Sequence, residues 1–88
     1  MKGLYRIEYR NSVAKELRKL SKTDLVLVIA KIKDLAQNPF PAGMAKLLNS
    51  NELYRVRQGD YRIIYQVDRG QFIVLVVKIG HRRAVYRA

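Results

Sequence analysis

The chain has 88 residues, 49% of them hydrophobic, and its 18 Lys and Arg against 7 Asp and Glu give a net charge of +11. Length and composition point to one small domain, residues 1–88, with a modest core, and exclude a disordered polymer. The absence of cysteine excludes disulfides and thiolate metal sites, the single His81 argues against a zinc centre, and the basic excess favours anionic partners.

The first twelve residues, MKGLYRIEYRNS, are too charged for the apolar core of a secretion signal. No apolar run approaches the roughly twenty residues of a membrane span. A cytoplasmic location with no membrane partner is expected. Leu4 to Tyr9 alternates, and Tyr5, Ile7 and Tyr9 form the apolar face of a strand. Asn11 or Ser12 then offers a short side-chain oxygen as a helix N-cap. Val13, Leu17 and Leu20 follow on one helical face, with Lys15, Arg18, Lys19 and Lys22 on the others.

Ser21 with Asp24 three residues on predicts the cap of a second helix. Its apolar set is Leu25, Val28, Ile29, Ile32 and Leu35, and Val26 and Leu27 widen the stripe. Asn38-Pro39 ends it, because a residue before proline avoids the helical region. So short a break at Ser21 predicts an antiparallel helical hairpin. Residues 38–51 form a long connection with both prolines and Gly43, anchored by Met44, Leu47 and Leu48.

The remainder reads as sheet. Gly59-Asp60 suits a two-residue type II′ hairpin with glycine first. That turn sets Gln58 opposite Tyr61, Arg57 opposite Arg62, Val56 opposite Ile63 and Tyr54 opposite Tyr65. The apolar pairs then share one face, and Arg55, Arg57 and Arg62 share the other. Opposed like charges destabilise a sheet by a few tenths to about 1 kcal/mol, and arginine cannot escape by losing its proton. Either the three guanidiniums splay into solvent, or they form a site for a polyanion, whose phosphate oxygens match the planar fork.

Asp68 to Gln71 reads as a second tight turn, and Gln71 to Ile79 as a central strand covered on both faces. Ile64, Ile73, Leu75 and Val77 then fall on the arginine-bearing face, as ordinary core or as a groove for a partner peptide. After Ile79 the chain leaves the sheet. The expected fold is α+β: a two-helix antiparallel hairpin packed on a mainly antiparallel four-stranded sheet, in the order β-α-α-β-β-β.

Three motifs stand in this order: L-Y-R-V-R at Leu53–Arg57, G-D-Y-R-I-I-Y at Gly59–Tyr65, and I-G-H-R-R-A-V-Y-R at Ile79–Arg87. With them the chain resembles, over nearly its whole length, the RelE/ParE superfamily of toxin–antitoxin toxins, and within it the RelE branch. The resemblance implies a ribosome-dependent, metal-independent endonuclease that needs no cofactor and inhibits translation. It would cut mRNA by attack of the ribose 2′-OH on its own 3′ phosphate, leaving a cyclic phosphate. The implied partners are ribosome, mRNA and a small RelB-like antitoxin. An acidic and apolar segment of that antitoxin would suit the arginines and the Ile73/Leu75/Val77 strip.

Carried over by motif, Arg55 and Arg57 are the alternating basic positions and Arg62 the catalytic arginine. Arg82 follows the glycine after the last strand, Tyr86 completes the site, and Arg83 and Arg87 add charge for RNA. Arg57, Arg62 and Arg82 would stabilise the pentacovalent phosphorus. Tyr86 would stack on a base or orient the 2′-OH. His81 is the only side chain with an unperturbed pKa near working pH, which makes it the acid–base candidate, with a polar loop residue as the alternative. Two other functions fit the same residues: a ParE-like poison of DNA gyrase without a catalytic site of its own, and a basic RNA- or ribosome-binding module.

Overall fold

The structure is a computed structural model that describes residues 4–47 and 52–81. Leu48, Arg82, Arg83, Tyr86 and Arg87 lie outside the described residues. The elements in chain order are β1 (Arg6–Tyr9), α1 (Asn11–Arg18), α2 (Lys22–Gln37), β2 (Ala45–Lys46), β3 (Leu53–Gln58), β4 (Tyr61–Asp68) and β5 (Ile73–His81). They form one sheet in the spatial order β1-β5-β4-β3-β2, antiparallel except where β1 runs parallel to β5. The α+β class and the element order are as expected. The sheet has five strands instead of four, because Ala45 and Lys46 pair with Arg55 and Tyr54 at the far edge. Leu47 N–H donates to Leu53 O at 2.9 Å and closes that pairing.

The two helices cover one face. Val13 of α1 and Val28, Ile32 and Leu35 of α2 meet Val56, Ile63, Tyr65, Val74, Val76 and Ile79 in one buried cluster. α1 lies along β5, while α2 packs on β1, β3 and β4. At α2 the Ser21 cap forms as read, its Oγ accepting from Asp24 N–H at 3.1 Å. At α1 the N-cap is Arg10, one residue before the sequence reading, and no side chain caps it. Val26 and Leu27 are exposed, at 62% and 46%, so α2 buries a narrower stripe than its composition suggests.

Tyr65 ties the long connection to the core: its hydroxyl donates to Pro39 O at 2.6 Å. The loop between β4 and β5 is held by Asp68, whose Oδ1 accepts from Gln71 N–H at 3.0 Å. It leaves Phe72 at φ +57°, a left-handed conformation uncommon for a residue with a side chain. Phe72 O accepts from Arg6 N–H at 2.7 Å, and its ring stacks edge-on to Tyr5 at 5.4 Å. Both contacts hold the conformation in place.

Candidate nucleic-acid interface

The β3–β4 hairpin has the register read from its turn, with Arg57 opposite Arg62 and Tyr54 opposite Tyr65. Gly59 has φ +62° and Asp60 has no positive φ, the signature of a glycine-first type II′ turn. Tyr54, Val56, Ile63 and Tyr65 therefore face the helices, and Arg55, Arg57 and Arg62 face the side without helices.

The next pairing completes that open face. Arg62 stands opposite Gly80, Ile64 opposite Lys78, Gln66 opposite Leu75 and Asp68 opposite Ile73. Two rows run across the sheet at its hairpin end, Arg57–Arg62–Gly80 and Arg55–Ile64–Lys78. Two rows at the other end carry Leu53–Gln66–Leu75–Glu8 and Asp68–Ile73–Arg6. The face is thus cationic at one end. At the other, Glu8, Glu52 and Asp68 line a groove of about 450 Å³ floored by Ile73 and Leu75. Ile64, Ile73 and Leu75 lie on the arginine side as one of the readings had it. Ile73 and Leu75 are only half-buried there, so β5 is covered on one face and not on two.

Lys78 escaped the sequence reading, and a β-bulge is the reason. Tyr65 pairs with Val76 but Ile64 pairs with Lys78, so Val77 is an extra residue. Val74 and Val76 point into the core. Without the bulge, period-two alternation would send Lys78 in after them. The extra residue keeps Lys78 out of the core, opposite Ile64 and with its ammonium near Glu16, and sends Ile79 into the core. A single charge at core parity inside an apolar strand was the available signal.

The arginines differ in exposure. Arg57 is exposed and Arg55 half-buried, whereas Arg62 is 3% exposed. Arg62 therefore neither splays into solvent nor stands open to a ligand. It lies between Arg57 and a glycine, in a row where Gly80 contributes no side chain.

His81 is placed elsewhere. It pairs with Tyr61, on the parity that faces the helices, and its ring meets Tyr61 edge-on at 5.6 Å. It borders a cleft of about 300 Å³ with Glu16, Lys19, Leu20, Lys78 and Gly80, at the edge of β5 beyond the end of β1. Burial raises the Tyr61 pKa, with the Asp24 charge and a hydrogen bond to Asp24 adding to the shift. Glu16 braces the same strand end: Oε1 accepts from Ile79 N–H at 2.8 Å and Oε2 lies 3.6 Å from Lys78 Nζ. This contact replaces β1, which pairs with β5 only as far as Val76. The sequence reading gave Glu16 no part, since its partner is 63 residues away. Glu52 is exposed on the groove and its Oε1 lies 3.5 Å from Gln66 Nε2.

Two helices cover one face of a small, mainly antiparallel sheet, and arginines gather on the bare face, a compact basic α+β domain. Residues 7–86 match the family described as the ParE toxin of the type II toxin-antitoxin system, parDE. The chain is also 30% identical over 84 residues to toxin RelE of Mycobacterium tuberculosis, covering 94% of this chain and 87% of that one. In structure it is similar to RelE in the RelE–RelB complex of Pyrococcus horikoshii, with TM-score 0.80, 30% identity and coverage of 90% and 96%. The isolated Escherichia coli RelE toxin gives TM-score 0.77 at 25% identity, covering 94% and 97%. The chain belongs to the RelE/ParE superfamily and is a toxin of a type II toxin–antitoxin system. Among the described residues no helix is long and apolar enough to cross a membrane.

Proposed function

We propose that this toxin is a ribosome-dependent mRNA endonuclease, held in check by a RelB-like antitoxin. The observation that carries the reading is the arginine cluster on the open face, Arg57 opposite Arg62 with Arg55 two residues along the same strand, fixed by a paired register. In-line attack of a ribose 2′-OH on the adjacent phosphorus spreads negative charge over the phosphoryl oxygens. Guanidiniums on a rigid sheet stabilise that charge without reorganising, and removing one such donor costs about 3 kcal/mol. Arg57 is the exposed donor. Arg62, 3% exposed and opposite Arg57 in the ladder, adds its charge to the same row.

Arg82 and Tyr86 join the proposal from their motif, with Arg83 and Arg87 as further RNA contacts. Proton transfer falls to Lys78 or His81, which line one cleft with Glu16, the Lys78 ammonium lying 3.6 Å from Glu16 Oε2. The antitoxin proposal rests on the RelE–RelB complex of the Pyrococcus relative.

The test is to map mRNA ends after incubation with programmed ribosomes and, separately, with naked mRNA. New 2′,3′-cyclic phosphate ends on ribosomes and few on naked RNA are expected. Intact mRNA in both overturns the reading. The match to a ParE family favours one competing target, DNA gyrase. Growth arrest that gyrase changes relieve, with mRNA left whole, would establish that target instead.

A further inference from the structure

Lys31 lies outside every motif above, yet it joins the arginines at a second place. β2 pairs with β3 only at Tyr54 and Arg55, so the outer edge of β3 is open from Val56 to Gln58. A cleft of about 320 Å³ sits at this edge, lined by Lys31, Ala42, Gly43, Arg55, Val56 and Arg57. It wraps the edge: Arg55 and Arg57 come from the open face and Lys31 from α2 on the covered face. Leu47 N–H donates to Leu53 O on this outer side, and ladder alternation turns the Arg57 N–H the same way. Among the described residues no carboxylate lines the cleft. Lys31, Arg55 and Arg57 take no part in the Arg6–Glu8 and Lys78–Glu16 ion pairs, and no described carboxylate pairs with them.

Three uncompensated cations and an outward amide in a concave site suit an anion with several acceptor oxygens. We propose that the cleft binds one phosphodiester of a single-stranded RNA, with Lys31 Nζ as the contact that distinguishes it from the open face. This rests on the RNA reading above and deepens it. The strand that crosses the arginine rows continues over the β3 edge and is gripped there without chemistry. RNA is preferred to an acidic protein segment because the cations line a continuous path from the open face round the edge.

The test uses a fluorescent 2′-O-methyl RNA decamer, which lacks the attacking hydroxyl and stays intact. Its affinity is measured against salt for wild type, Lys31→Ala and Lys33→Ala, the last an exposed lysine of the same helix outside the cleft. Lys31→Ala is expected to weaken binding several-fold and to lower the salt slope by about 0.7, one released counterion on a single strand. Lys33→Ala should match wild type. Identical curves for the two variants overturn the proposal, as does a Lys31→Ala loss confined to antitoxin binding. If wild type binds the decamer through Lys31 but leaves mRNA whole on ribosomes, the nuclease reading fails and the cleft stands.

Discussion

Arg62 carries a charge into a nearly closed position, and its burial changes what a mutation there reports. Truncation to alanine opens a void within the Arg57–Arg62–Gly80 row, with an expected cost to unfolding free energy of about 2 kcal/mol. The exposed Arg57→Ala is expected to stay within about 0.5 kcal/mol of wild type. Urea melts of both variants separate the two; equal stabilities would contradict the burial. Tyr65 offers a pH counterpart. Burial, with Tyr54 adding, pushes its pKa from 10.0 up to about 12. The folded chain therefore holds this proton more tightly than the unfolded one. The stabilisation is full below pH 10.0 and is lost as pH rises toward about 12. Tyr65→Phe should flatten that part of the stability profile. It should also lower stability at neutral pH by about 1–3 kcal/mol, since Pro39 O loses its donor. An unchanged alkaline slope in the variant would contradict this. At this scale the sequence disclosed the residue types and the face of each arginine, but not exposure. Period-two alternation tells which side Arg62 takes and says nothing of what lies over it.

Among the elements, β5 depends most on what surrounds it. Its last residues run past the end of β1, and Glu16 of α1 supplies the acceptor that a neighbouring strand would have given Ile79. Glu16→Ala should speed hydrogen exchange at the Ile79 amide and slow mRNA cleavage by displacing Lys78, with RNA affinity little changed. Glu16→Gln keeps a carbonyl oxygen at that distance and should restore slow exchange. Equal exchange in all three proteins would contradict the brace. The hairpin of β3 and β4 was legible because Gly59-Asp60 fixes a register in two residues, and each apolar pair then confirms it. The β5 register was not, since an apolar strand bounded by a four-residue loop admits several pairings and the bulge at Val77 has no turn residue to mark it. β2 was hidden for a related reason: two residues between a glycine turn and the next strand show no period. The exposure of Val26 and Leu27 was equally invisible, because α2 is apolar on more than the side it buries.

For the molecule as a whole, a charge of +11 is spread unevenly. The open face is cationic toward the Gly59 turn and carboxylate-lined toward the Asp68 loop. On the proposed reading an RNA strand is drawn to the Gly59 end, since Glu8, Glu52 and Asp68 outnumber Arg69 in the groove at the other. The central claim is that the Arg57–Arg62 row stabilises a breaking phosphodiester. Its most direct measurement is the single-turnover cleavage rate of ribosome-held mRNA at saturating toxin, for wild type and Arg57→Ala. The account predicts a rate about a hundredfold or more lower in the variant, with binding reduced only a few-fold. An unchanged rate in a folded Arg57→Ala protein would contradict it.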